Sequence, residues 1–275
     1  MSNVPFCHLH VHSSYSLLDS TIKIKDLIAA AKKMKMSHLA LTDHAVLYGA
    51  VEFYNAATSA GIKPIIGCDV YIAKHGIEIK NNQRDNMSLV LLAENQTGYD
   101  NLVKLVSEAH LNGFYYKPRV DKSILRKYSE GLIALSGDIR GEVNDACRSD
   151  NLESAENLIL EYIDIFGKEN FFLEMTHHGF KNTDSNEENW KSMSDEVKEK
   201  WKSMSKDQNK VNQHLFNLSK KLSVQLVATN DVHYIKKEHA EAHDILTCLQ
   251  RGMLVADPSR YRYLGNQLYF KSGKE

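Results

Sequence analysis

Disulfide chemistry is the first thing this sequence withholds. Its four cysteines, Cys7, Cys68, Cys147 and Cys248, are scattered over 275 residues without a Cys-x-x-Cys pair. They read as buried thiols of a cytosolic protein and exclude a disulfide framework. No apolar run approaches the roughly 18 residues that a spanning helix needs, and no charged-then-apolar leader opens the chain. The expectation is a cytoplasmic protein with no membrane partner. Charge of one sign is missing too. The formal net charge is −1, so no global basic field advertises nucleic acid, and any polyanion contact has to be local.

What is present is a core and a rhythm. Hydrophobic residues make up 43% of the chain, enough for a sizeable interior, and the length suits a single α/β barrel. Strand patterns at Val4–His10, Leu39–Thr42, Lys63–Ala73, Ser88–Ala93, Leu132–Ser136, Phe171–Met175 and Val224–Thr229 alternate with helical ones at Ile24–Met34, Val51–Ala60, Tyr99–His110, Leu152–Phe166, Val211–Leu222 and His239–Gln250. Such alternation implies parallel βαβ units, and about seven of them fit a closed barrel better than an open sheet. Residues 184–210 are polar, charged and strandless, and read as an inserted helical segment. Trp190-Lys191-Ser192-Met193-Ser194 recurs there as Trp201-Lys202-Ser203-Met204-Ser205, an offset that puts both tryptophans on one helix face. A duplicated surface helix is favoured over a dedicated partner site.

Histidine and aspartate collect where a barrel keeps its chemistry. His8, His10 and His12 alternate, so their side chains share one strand face. Neutral imidazole is a ligand for zinc, manganese and iron. The competing explanation is a polar edge strand with incidental histidines. His10 and His12 end the first strand, Asp19 follows in the loop, Asp43 and His44 end the second, Asp69 lies in the third, Asp138 follows the fifth, and Asp231 and His233 end the last. The C-terminal ends of barrel strands are where active sites sit, and so many ligand types there point to a multinuclear metal site. Glu174, His177 and His178 sit at the same end as possible ligands or supports. His239 and His243, four apart on a helix, could pair on a metal, but a solvated helix face is the favoured reading. His38, His75, His110 and His214 receive no role. Tyr115, Tyr116, Lys117 and Arg119 form an aromatic-basic loop suited to stacking a base and holding phosphate, or else to packing.

These motifs resemble the polymerase-and-histidinol-phosphatase (PHP) family. The resemblance rests on His10-Val11-His12-Ser13 with Ser16 and Asp19, Leu41-Thr42-Asp43-His44, Gly67-Cys68-Asp69-Val70-Tyr71 and Ala228-Thr229-Asn230-Asp231-Val232-His233-Tyr234. Supporting stretches such as Gly61-Ile62-Lys63-Pro64-Ile65-Ile66-Gly67 and Gly113-Phe114-Tyr115-Tyr116-Lys117-Pro118-Arg119 carry it over nearly the whole chain and toward the family's polymerase members. The resemblance implies a distorted (β/α)7 TIM-like barrel, one PHP domain over 1–275 that is a fragment of a longer replicative polymerase chain. It implies two to three divalent metals (Mn, Zn, Fe or Mg). The first would take His10, His12, Asp69 and Asp231, and the third Asp19, His44 and His233. The second would share Asp69 and use Asp138 and the position of Ser88. The family usually has Glu at position 69 and His at position 88, and its polymerase members often have Cys at 138, so the second site is expected to be weakened. Implied too is metal-dependent phosphoester hydrolysis, in polymerases a 3′–5′ proofreading exonuclease contributing to DNA replication. Asp43, Glu174 or His178 would then orient water or a ligand imidazole. The implied partners are a single-stranded DNA 3′ end, the rest of the polymerase chain and a proofreading subunit. Two alternatives stand beside this: a metal-stabilised scaffold with little nuclease activity, and a free-standing PHP phosphatase.

Overall fold

The computed structural model describes residues 6–80, 86–176, 178, 195–257, 260, 263 and 265–275. Helix α1 (Ile24–Lys33) buries Ile24, Leu27, Ile28 and Ala31, one apolar stripe, with Asp26 in its first turn and Lys32 and Lys33 in its last. There follow β1 (His38–Leu41), α2 (Ala50–Ser59), β2 (Lys63–Ile72), β3 (Met87–Ala93), α3 (Gln96–Leu111), β4 (Arg119–Val120), α4 (Lys122–Lys127), β5 (Leu132–Leu135), α5 (Glu142–Arg148), α6 (Leu152–Phe166), β6 (Phe171–Thr176), α7 (Asp195–Leu222), β7 (Leu226–Thr229) and α8 (Ala240–Arg251). Side chains close several helix starts. Asn95 accepts from the Gly98 amide ahead of α3, and Asp121 from Ser123 and Ile124 ahead of α4.

The strands form one curled sheet in the order β1-β2-β3-β5-β6-β7, with β4 paired to β2. Most neighbours are parallel, as expected, but β3 runs antiparallel to both β2 and β5. The reason lies in the connection. Residues 73–86 are mostly charged and amide side chains with no apolar period, and the described ones form no crossover helix, which a parallel neighbour would require. The reversal puts the start of β3, at Ser88, beside Tyr71 near the C-terminal end of β2.

The expected first strand is not a regular strand over the described residues 6–10. It is the piece that closes the ring. Ala40 donates to the His8 carbonyl and Thr42 to that of Val11, while on the other side Val232 donates to His10 and His12 to Val232. The extended segment thus bridges β1 and the stretch after β7. Inside, Leu9, Ala40, Ile65, Val90, Leu92, Ile133, Leu135, Phe172 and Val227 form one apolar cluster. Each strand except the short β4 contributes inward side chains to it, as in a filled barrel. Larger apolar clusters lie outside, where α1 and α2 cover β1 and where α3, α5, α6 and α7 cover β2, β3, β5 and β6.

Of the expected insertion, residues 195–210 are helical and run unbroken into the buried Val211, Leu215 and Leu218 of α7. Residues 184–194, and with them Trp190 and the tryptophan pairing, lie outside the described residues. The four thiols are unpaired; Cys68, Cys147 and Cys248 are buried and Cys7 is half-buried. Among the described residues no helix is long and apolar enough to cross a membrane.

Candidate metal centre

The strand ends that carry acids and imidazoles converge on one mouth of the barrel. Seven of the side chains singled out as ligands (His10, His12, Asp19, His44, Asp69, Asp231 and His233) form one connected cluster, each at most 9% exposed at its side chain. His12 Nε2 stands 3.1 Å from Asp231 Oδ1, and His10 Nε2 3.5 Å from the same oxygen. His44 reaches Asp19 through Nε2 and Asp69 through Nδ1, at 2.8 Å each. His233 Nε2 lies 3.0 Å from Asp231 Oδ1. The rings of His12 and His44 stack at 4.0 Å, and those of His12 and His233 at 4.6 Å.

The outer nitrogens are tied down. His10 Nδ1 donates to Glu174 Oε1 at 2.7 Å, and Glu174 is held in turn by the Thr229 hydroxyl. His233 Nδ1 donates to the Asp19 carbonyl at 2.9 Å. His12 Nδ1 meets Ser16 Oγ at 3.3 Å, and that hydroxyl donates to Asp43 at 2.6 Å. Asp43 also accepts from the amide and hydroxyl of Ser13. It therefore supports His12 through Ser16 and does not enter the cluster. Such tethering fixes which ring nitrogen points inward.

The inward atoms have no such partners. His10 Nε2, His12 Nε2, both nitrogens of His44 and Asp69 Oδ2 are buried and make no aligned hydrogen bond. Each buried polar atom left this way costs about 1–3 kcal/mol, a cost that several adjacent atoms would compound. The donor set fits divalent cations, which accept imidazole nitrogen and carboxylate oxygen together. Among the described residues, three overlapping groups have donor atoms close enough to share an ion: His10-His12-Asp231, His12-His44-His233 and Asp19-His233-His243.

Electrostatics agree. Burial alone would keep these imidazoles neutral, yet Glu174, Asp231 and Asp69 outweigh it at His10 and hold its pKa well above the usual value. His44, flanked by Asp69 and Asp19, is raised to about 9 against the same burial. Burial, then His44, pushes His12 well below. Burial resists the charged carboxylates as well, but the imidazoles hold Asp19, Asp69 and Asp231 well below the usual range. The cluster thus stores cationic charge in its own histidines, the charge that a metal ion would supply instead. Backbone strain marks the same places: Asp231 (φ 45°), Ala45 after His44 (φ 52°) and Leu18 before Asp19 (φ 60°) are left-handed without being glycine.

Other expected residues fall elsewhere. Asp138 is buried, but its carboxylate is taken by Arg140, through the side-chain Nε and the backbone amide. Ser88 donates to Asp69 Oδ1 at 2.6 Å and so faces the cluster as a hydrogen-bond donor. His8 turns away; its Nε2 bonds the Lys271 carbonyl and its ring stacks on Phe270. The His178 amide donates to Gln208 at 3.0 Å, at the edge of the site. His177 lies outside the described residues.

In the aromatic-basic loop, Arg119 corrects the expectation of a phosphate contact. It is 1% exposed, and its guanidinium donates to the carbonyls of Gly113, Ile77 and Ile79. Lys117 and Tyr116 are exposed. Lys117 Nζ stands 5.4 Å over the Tyr71 ring, which stacks on His44 at 5.8 Å, so the loop borders the centre.

Two residues were missed. His243, read as a solvated helix position, is buried and bonds the Asp19 carbonyl at 2.9 Å beside His233. Its i, i+4 partner His239 was the only sequence signal. Arg140 was not singled out at all, although its Nη2 lies 3.7 Å from Asp69 and 3.9 Å from Asp231.

A profile of the PHP domain matches residues 8–178. The chain belongs to the PHP family. Over 98% of its length it is 43% identical to the DNA polymerase III subunit alpha of Borreliella burgdorferi, and over 100% it is 40% identical to that of Thermus aquaticus. It spans only about a fifth of the length of these curated relatives (22% and 21%). Among solved structures, a putative metal-dependent phosphoesterase from Bifidobacterium adolescentis aligns over 82% of this chain and 87% of its own, with a TM-score of 0.49 and 11% identity.

Proposed function

We propose that this PHP domain is the metal-dependent phosphoesterase of a bacterial replicative DNA polymerase alpha subunit, trimming single-stranded DNA from its 3′ end. The observation that carries the reading is the set of inward, buried donor atoms on His10, His12, His44 and Asp69 that face one another without an aligned hydrogen bond. Divalent cations held by His10, His12, Asp19, His44, Asp69, Asp231 and His233 would supply acidified water and neutralise charge on phosphate oxygens. Glu174 orients His10, and Asp43 acts through Ser16 on His12. Lys117 at the rim offers a cation to the DNA backbone, and Tyr115 with Tyr116 offers faces on which a terminal base stacks. Work in the cytoplasm, beside the rest of the polymerase chain and a proofreading subunit, follows from this reading.

With manganese, the purified protein should shorten an end-labelled single strand from its 3′ end, and Asp19→Asn and His12→Ala should each abolish that. Undiminished activity in both variants would assign the nuclease to a contaminant and sink the proposal. A second reading, a metal-stabilised scaffold, is favoured by one observation: Arg140 already neutralises part of the carboxylate cluster. A chelator that lowers the melting point of a protein with no nuclease activity in any divalent metal would select it.

A further inference from the structure

Arg140 sits two residues beyond Asp138 in the loop after β5. Its guanidinium reaches carboxylates from three separate parts of the barrel: Asp138 through Nε at 3.0 Å, and Asp69 and Asp231 through Nη2 at 3.7 and 3.9 Å. Nη2 is buried and makes no aligned hydrogen bond. It lies between two anionic oxygens as a charge, in the manner of a coordinated ion. At Asp69 it faces Oδ2, the oxygen that His44 Nδ1 meets at 2.8 Å and His10 Nε2 at 3.8 Å. The other oxygen, Oδ1, accepts from Ser88, whose hydroxyl offers no anionic ligand. Asp138 meets the guanidinium and brings no imidazole with it. An arginine does not lose its proton in a protein, so this charge is permanent. A divalent ion placed among the same three carboxylates would compete with it for every oxygen and be repelled by it.

Resting on the metal-centre reading above, we propose that Arg140 is a built-in cation occupying one metal position, so that the cluster takes ions only on its imidazole side. That side has donors for two ions: the His10-His12-Asp231 set and the Asp19-His233-His243 set, with His44 Nε2 2.8 Å from Asp19. Ser88 and Arg140 then act together. One fixes Asp69 by a hydrogen bond, and the other balances the carboxylates that remain.

The test is a metal count. The full chain is stripped, dialysed to equilibrium against manganese, and counted by elemental mass spectrometry, with electron paramagnetic resonance reporting coupling between ions. Two ions are expected in the native protein and in Arg140→Lys, which keeps the charge. Three are expected in the double variant Arg140→Gln with Ser88→His, which removes the cation and adds a ligand. Three ions in the native protein overturn the proposal, whatever the variants do. So does a double variant that holds two ions while its circular dichroism and melting match the native protein. A native protein that binds none overturns the metal-centre reading itself, an outcome distinct from a count of three.

Discussion

The two parts of the carboxylate cluster solve the same electrostatic problem differently. In one, His10, His12 and His44 surround carboxylates with neutralisable rings whose inner nitrogens make no aligned hydrogen bond. In the other, Arg140 reaches Asp138, Asp69 and Asp231, and Ser88 donates to Asp69. The first leaves several buried ring nitrogens without aligned hydrogen bonds, which a ligand would satisfy. The second carries its counter-charge in a side chain, although Arg140 Nη2 too makes no aligned hydrogen bond. A buried anionic cluster therefore need not be a metal site throughout; what matters is whether its counter-charge is covalent to the chain.

The contrast is broken most severely at a ligand. Asp231→Asn should lower phosphoester hydrolysis roughly 10³-fold, the loss of several kcal/mol of charge stabilisation, while Ser88→Ala lowers it less than about tenfold, the scale of one hydrogen bond. Steady-state rates in manganese check this, and equal losses would erase the distinction between the two parts. A comparable contrast between a committed and an available cation occurs in the loop. Arg119→Met should destabilise the fold by about 3 kcal/mol, since it orphans buried carbonyls, whereas Lys117→Ala leaves the urea midpoint unchanged and weakens single-stranded DNA binding.

Next in size is Glu174→Gln, which should weaken metal affinity about 10- to 100-fold by loosening His10, as read by calorimetric titration. The smallest effect separates His8 from its neighbours. Burial lowers its pKa to about 4, so the folded protein prefers it neutral. Its contribution to stability is whole above the ordinary imidazole value of about 6.5 and is lost as pH falls toward 4, about 2 kcal/mol by pH 5. His8→Gln should remove that part of the acid destabilisation in urea melts at pH 7 and pH 5. An unchanged acid slope would mean that His8 is not the buried neutral group described.

Much of this was legible in the chain because ligand chemistry leaves local marks. His-x-His, Thr-Asp-His and Asp-x-His each stand at or beside a strand end, and a barrel brings such ends together. The antiparallel turn of β3 was hidden because strand direction depends on what the connection contains, and residues 73–86 mark it only by lacking an apolar period. His243 was hidden because two histidines four apart do not say which way their helix faces. Arg119 and Arg140 were hidden for a shared reason. Sequence reports a charge but not whether its donors are already engaged, and these two arginines are engaged with backbone carbonyls in one case and carboxylates in the other.

The segment that closes the ring also carries His10 and His12, and its partner on one flank, Val232, comes late in the chain; just beyond it the Asp19 carbonyl receives the His233 ring across 214 residues. This makes the mouth of the barrel a clasp whose two halves are synthesised at opposite ends of the domain. The first half emerges from the ribosome long before the second, so the centre cannot assemble until nearly the whole domain has been made. A metal ion gripping both halves would then act as a latch. It would slow the opening of the ring and couple the lifetime of the folded barrel to the supply of cation.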